Sequence, residues 1–404
     1  MKKYFNLSVL CILISVLMAC TPKGSTQPQE NIDKHEADSA LVTKINNMSL
    51  DEKVGQMLMV GVDGTSIGAN EEMFIKDYHV GGFILYGKNI STTSQTVHLI
   101  NQLKISNEKS NNPFPLFISV DQEGGSVERL PSSIRSLPTN EKVGNTNNQA
   151  FSKAIGQIVG MELHDFGFNM DFAPVMDIRR SSDSAINNRS FSSDKNSVSK
   201  LGTATMKGIQ SKNVISVIKH FPGYGSVTVD AHTDLPILDY GLDPLETTDW
   251  VPYKKAIADG ADVVMVTHLM APQLNAKYPA SMSRTIMTNI LRNRLEFNGV
   301  IITDDMTMGA IEKHYSVDQA VVRSVKAGAD VVLIAFHKEE QLAAIEALKR
   351  AVKDGDIPMK QIDKSVYRII QLKQKYKLSD DHVNPVNEDK INDSIQTVLD
   401  QYLQ

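Results

Sequence analysis

Eight short apolar runs, spaced through residues 56–335 and separated by stretches of helical character, restrict this chain more than any other feature of it. The runs fall at 56–62, 82–86, 116–120, 169–173, 214–219, 262–267, 299–303 and 330–335. Helix-like stretches at 92–107, 149–166, 195–212, 250–259, 285–296, 316–327 and 338–353 lie between and after them. A strand followed by a helix cannot fold back as a hairpin, so the alternation means parallel βα units with helices over the sheet. Eight is the number of units that closes a (β/α)8 TIM barrel, and a domain over 41–376 is long enough for one with insertions. An open doubly wound sheet is the alternative, weakened by the lack of a Gly-x-Gly-x-x-Gly fingerprint after the first run. A last helix at 360–375, with Ile362, Val366, Ile369, Ile370 and Leu372 at helical spacing, is expected to close the domain.

The flanks read differently. Lys2 and Lys3 precede an apolar run from Leu7 to Met18, shorter than a membrane-spanning helix needs. It ends in Leu17-Met18-Ala19-Cys20, which is similar to a bacterial lipobox. We therefore expect a signal peptide over 1–19, lipid on Cys20 and a tether to residue 40 that is rich in Thr, Pro, Ser, Gln and Glu. This would hold the folded domain against the extracytoplasmic side of a bacterial membrane; an uncleaved anchor is the other reading. Cys11 and Cys20 are the two cysteines, so the body of the chain can hold no disulfide. Ser49 and Glu52 have the spacing of a helix capping box. Residues 377–404 form an extension, polar at first and then weakly amphipathic through Ile391, Ile395, Val398, Leu399 and Tyr402, which reads as a short appended helix. The net charge of −5, with no basic block beyond the N-terminus, argues against a nucleic-acid partner. A monomer is expected.

In a TIM barrel, chemistry gathers where the strands end. Asp121-Gln122-Glu123 follows the third run. Asp177 and Arg189 follow the fourth, Lys219-His220 the fifth, Thr267-His268 the sixth and Asp304-Asp305 the seventh. After Lys219-His220 comes a loop broken by Pro222, Gly223 and Gly225 that carries Asp230 and His232. An aspartate two residues before a histidine can accept its ring N–H, fix its tautomer and raise its basicity. Taken one at a time, His232 could be a solvated loop residue and Asp305 a helix cap. Together they compose a set for acid/base and nucleophilic work on a polyhydroxylated ligand. A strand-end carboxylate such as Asp304 can attack an anomeric carbon, and a histidine backed by Asp230 can protonate the leaving oxygen. Asp121, Arg189, Lys219 and His220 could hold hydroxyls. No His-Glu-x-x-His or compact histidine cluster supports a metal, and the glycine segment lacks a phosphate loop's ending, so no cofactor is expected.

These residues carry a resemblance. MSLDEKVGQML at 48–58, GGFILYGKNI at 81–90, VDQEGGSVERL at 120–130, FNMDFAPVMDI at 168–178, NNRSF at 187–191, KHFPGYG at 219–225, DAH at 230–232 and GVIITDDMTMGA at 299–310 are similar, in that order, to motifs of glycoside hydrolase family 3. Within the family the chain resembles the bacterial β-N-acetylglucosaminidases that trim cell-wall fragments. The resemblance implies that Asp304 is a nucleophile forming a covalent glycosyl intermediate with retention of configuration. It implies that His232, oriented by Asp230, is the general acid/base, and that Asp121, Arg189, Lys219, His220 and His268 contact the sugar. The implied partner is a saccharide ending in β-linked N-acetylglucosamine. Two positions depart from the family's pattern: Tyr224 stands where histidine is frequent, and Ser126 where this branch usually has arginine. Many relatives add a second domain after the barrel, so here the barrel is expected to complete the site alone.

Overall fold

The structure, a computed structural model, describes residues 39–110, 112–275 and 277–403. The expected signal peptide, the lipidation site at Cys20 and nearly all of the tether lie outside these residues. Residues up to Lys44 belong to a leading unit, and Ile45–Gln404 forms the compact unit described below.

Strands β1 (Leu58–Gly61), β2 (Gly82–Ile84), β3 (Phe117–Val120), β4 (Met170–Asp171), β5 (Ile215–Phe221), β6 (Val263–Val266), β7 (Val300–Asp305) and β8 (Val331–Ile334) pair in sequence order. All pairings are parallel, and β8 returns to β1 with Leu58 opposite Val332 and Val60 opposite Ile334. The expected TIM barrel is therefore closed, and the open sheet is excluded. Each strand overlaps one of the eight apolar runs. β5 and β7 continue beyond them, through His220-Phe221 and Asp304-Asp305, so polar residues lie among the last rungs. Both strands shift register there, β5 between Ile218 and Phe221 and β7 between Ile302 and Asp305. An extra residue in a strand bends it and re-aims its side chains, and that is how these two strand ends deliver polar groups to the barrel mouth.

Helices follow where helical spacing was expected, including Thr93–Lys109, Gln149–Phe166, Lys195–Gln210 and Met359–Lys375. Ser49 caps the helix Leu50–Gln56 in a full capping box with Glu52. Three features differ from the sequence reading. That first helix takes Gln56 out of the first apolar run. Ala69–Lys76 is a helix that apolar spacing did not reveal, because Met73, Phe74 and Ile75 are consecutive. It is fixed by Glu71, which accepts from Asp63 N and Gly68 N (2.8 and 2.7 Å). Thr285–Arg294 winds as a wider π-type helix, closing with Leu295 N on Ile290 O. Over ten residues the apolar pattern does not separate the two windings. The C-terminal helix Glu388–Tyr402 packs on Gln149–Phe166, burying Ile391 and Ile395 and stacking Tyr402 on Phe151 at 5.1 Å.

The end of β5 is anchored by aromatic packing. Phe221 lies 5.9 Å from Trp250 and 5.3 Å from Tyr253, all three fully buried, and Trp250 Nε1 donates to Pro222 O at 2.9 Å. Burying a ring such as Phe221 contributes about 1.5–3 kcal/mol. The strand end that presents Lys219 and His220 is thus held from behind by the core.

Candidate active site

At the mouth of the barrel, β3, β4 and β5 contribute one connected polar cluster. Lys219 Nζ lies 2.5 Å from Asp121 and 2.7 Å from Glu123. Glu123 also receives both prongs of Arg189, Nη2 on Oε1 at 2.7 Å and Nε on Oε2 at 2.9 Å. Arg189 Nη2 approaches His220 Nε2 at 3.4 Å, and His220 Nδ1 bonds Asp177 Oδ2 at 2.7 Å. Asp177 further accepts from the backbone of His220 and Tyr224. The side chains of Glu123 and Lys219 are 1% and 3% exposed, whereas Asp121 is half-buried and opens to solvent. Burial works against each charge, but the neighbours outweigh it. Arg189 and Lys219 hold the Glu123 carboxyl below the usual carboxylate range, and Asp121 and Glu123 hold Lys219 above the usual amine value. The cluster stays charged and matched, with donors and acceptors facing the mouth.

Sequence reasoning named Asp121, Arg189, Lys219 and His220 as ligand-holding residues, and the structure brings these four together. It passed over Glu123 and Asp177, the acceptors that bind the cations and the imidazole into position. Both had been visible as polar strand-end residues, but what they pair with is distant in sequence. Glu123→Ala would leave the buried Lys219 and the half-buried Arg189 without their shared carboxylate. We expect it to destabilise the fold by about 3–5 kcal/mol, measured by denaturant unfolding. A loss below about 1 kcal/mol would mean the cations find other partners.

Beneath Asp121, Gln122 joins two buried carboxyls. Its backbone N donates to Asp171 Oδ1 at 2.9 Å and its Nε2 to Glu162 Oε1 at 3.0 Å. The second oxygens of Asp171 and Glu162 have no hydrogen-bond partner. Burial, little opposed by the Gln122 bond, pushes Glu162 up to about 8. A folded-state pKa above the unfolded one means the native state holds an extra proton between about 4.5 and about 8. Stability is then lost as pH rises through that window. Glu162→Gln should remove this slope and stabilise the protein at pH 8 on the order of 1 kcal/mol or more; parallel pH profiles for the two proteins would contradict it.

Across the mouth, β7 presents Asp304. Its Oδ1 accepts from Asp305 N at 3.0 Å and its Oδ2 from Thr267 Oγ1 at 3.2 Å. Burial would raise its pKa, but the charges of His268, His220 and His232 prevail and leave it below the ordinary aspartate value. Asp305, which the sequence left open as a helix cap, instead ties β7 to β8. It accepts from Thr307 N and from Ala335 N, both at 3.0 Å, and burial raises it to about 6. His268 is fully buried, with Nδ1 on Ser281 Oγ at 2.7 Å and Nε2 on Asp305 O at 2.8 Å. The sequence reading placed His268 among sugar contacts. With both ring nitrogens engaged and no surface, it braces the Asp304 strand end from below.

The loop after β5 brings Asp230 and His232 over this mouth. His232 Nδ1 bonds Asp230 Oδ1 at 2.7 Å, which leaves Nε2 as the ring atom for exchange with a ligand. Both side chains are exposed, His232 by 72% and Asp230 by 58%. Burial opposes the shift, but bonds from His232 and its charge keep Asp230 below its ordinary value. The loop meets the segment that follows β7, where Ala310 N donates to Ala231 O at 3.0 Å. At the ends of β2 and β8, Tyr86 and Phe336 stack at 5.2 Å and form an aromatic wall that the sequence reading did not identify. Among the described residues no cluster of His, Cys, Asp and Glu is arranged to hold a metal ion.

A strand-end carboxylate, a carboxylate-backed histidine on a loop and a charged cluster able to hold hydroxyls thus all belong to the C-terminal ends of the barrel strands. The chain as a whole is similar to known proteins. Residues 49–372 match the glycosyl hydrolase family 3 N-terminal domain. The chain is 33% identical over 324 residues to Beta-hexosaminidase A of Pseudoalteromonas piscicida, covering 74% of this chain and 54% of that protein, so it spans about half the length of that relative. It is 31% identical over 389 residues to Beta-hexosaminidase LpqI of Mycobacterium tuberculosis, covering 91% of this chain and 97% of that one. Among solved structures, a glycoside hydrolase family 3 β-N-acetylglucosaminidase from a Paenibacillus species superposes with a TM-score of 0.83 at 33% identity, covering 88% of this chain and 69% of the other.

Proposed function

The chain belongs to glycosyl hydrolase family 3, and from that premise we propose that it is a retaining β-N-acetylhexosaminidase that removes terminal β-linked N-acetylglucosamine. The observation that carries this reading is the Asp230–His232 couple, bonded at 2.7 Å, on a loop joined to the segment after β7 by Ala310 N donating to Ala231 O at 3.0 Å. The names of the relatives above support the same reading. In the first step the Asp304 carboxylate attacks C1 and the glycosidic C–O bond breaks. The proton on His232 Nε2 passes to the departing oxygen. In the second step neutral His232 takes a proton from water as the water oxygen bonds C1, and Asp304 leaves as carboxylate. The sum is glycoside plus water giving sugar plus alcohol, with two inversions and net retention. Asp121, Lys219, Arg189 and His220 hold the hydroxyls of the terminal sugar by charge-assisted bonds.

Cell-wall fragments are the proposed natural source of this sugar, and lipidation at Cys20 the proposed means of holding the enzyme at the outer face of a bacterial membrane. Both rest on the sequence. The deciding experiment for the activity is hydrolysis of 4-nitrophenyl β-N-acetylglucosaminide beside the corresponding β-glucoside. Turnover of the acetamido sugar, with retention seen by NMR of the first-formed product, is expected. Preference for the glucoside would assign another specificity within the family. Turnover of neither would leave a sugar-binding protein.

A further inference from the structure

We propose that the Tyr224 phenol is the latch that positions His232 for proton transfer, an inference that rests on the general-acid role proposed above. Tyr224 follows Pro222-Gly223 at the end of β5. Its backbone N donates to Asp177 Oδ1 at 2.6 Å, and its ring lies 5.6 Å from that of His220. The base of the side chain is therefore fixed in the sugar-holding cluster. Its hydroxyl reaches the loop, donating to Val229 O at 2.9 Å and accepting from Ala231 N at 2.7 Å. These two backbone groups flank Asp230.

From the opposite side, Ala310 N donates to Ala231 O at 3.0 Å. Gly309 closes the gap, since a Cβ there would lie 2.6 Å from His232 O. The main chain around Asp230 is thus gripped between Tyr224 and the segment after β7, which also carries Asp304. The side chains of Asp230 and His232 are exposed and bond each other, so side-chain burial does little to place them. Their position is set through the backbone, and the buried Ala231 is the point of purchase. Burial, reinforced by Asp230, Asp304 and Asp177, pushes the Tyr224 phenol up against the opposing Ala231 bond, so the group stays a neutral donor across the working range. An imidazole at this position would be shorter, with its donor nearer the backbone.

Tyr224→Phe keeps the ring and removes the hydroxyl. The test compares kcat/KM of the full chain and the variant on two β-N-acetylglucosaminides. One is the 4-nitrophenyl glycoside, whose leaving group needs little protonation. The other is a β-linked N-acetylglucosamine disaccharide, whose leaving alcohol needs it. If the latch positions the acid, the variant should lose about tenfold or more on the disaccharide and under about threefold on the nitrophenyl glycoside. Equal losses, or none, overturn the inference. Amide exchange in the wild-type protein tests it without relying on the variant's folding. The Ala231 amide should exchange at least about tenfold more slowly than in an unstructured chain, and free exchange would show that no latch exists. If the wild type hydrolyses neither sugar, the activity reading fails at the outset. If it is active and the variant loses nothing selectively, only the latch fails.

Discussion

Replacing Asp304 with alanine should lower kcat/KM for 4-nitrophenyl β-N-acetylglucosaminide on the order of 10⁴-fold or more while the protein remains folded. The expectation follows from where the carboxylate sits. It is the penultimate residue of β7, within the register shift between Ile302 and Asp305. Its two oxygens meet one backbone N–H and one hydroxyl, too few bonds to make it a keystone of the fold. Nearby histidine charges overcome burial and keep it ionised below the usual aspartate range. The acidic limb of activity should therefore not be set by this group at the ordinary aspartate value. Truncation leaves a small space beside C1. Azide should enter it and restore release of nitrophenol, giving a glycosyl azide of inverted configuration, because only one displacement then occurs. Retention of more than about 1% of activity without azide would remove Asp304 as nucleophile.

The barrel was legible because burial on both faces forces continuous apolar runs, and there were eight of them. The ends of the strands were not, because apolarity stops where chemistry starts. β5 and β7 keep pairing through His220 and Asp304, residues that no hydrophobic pattern assigns to a strand. The site residues were legible as types at strand ends, and their partners were not. Glu123 binds Arg189 across 66 positions of sequence and Asp177 binds His220 across 43, separations that the pairing of β3 with β4 and of β4 with β5 brings together. His268 shows what position along a strand leaves open. Its position at a strand end suggested contact with a ligand, but a strand-end side chain can turn down as well as up. Here it joins Ser281 to the backbone of Asp305. Tyr224 stood out in sequence as a departure from a motif. What it does depends on a loop five to seven residues further on that folds back over its ring.

His232→Ala should separate the two half-reactions. The side chain is 72% exposed and bonds chiefly to its own loop, so its removal costs little stability and the effect on rate reports chemistry. With a disaccharide, C–O cleavage requires a proton on the departing alcohol, and kcat/KM should fall by about 10²–10⁴-fold. With the 4-nitrophenyl glycoside the departing phenolate needs no such help, and kcat/KM, which reports only the first chemical step, should fall less than about tenfold. The second step still needs a base to activate water, so the glycosyl-Asp304 adduct should build up. A burst of nitrophenol equal to the enzyme concentration should precede a slow steady rate. Formate or azide should accelerate that slow phase by taking the place of activated water. Asp230→Asn should give a weaker version of the same selectivity, since the imidazole keeps a neighbour at position 230 but loses the carboxylate that orients its ring. Equal losses on the two substrates, without a burst, would assign the proton transfer to another group.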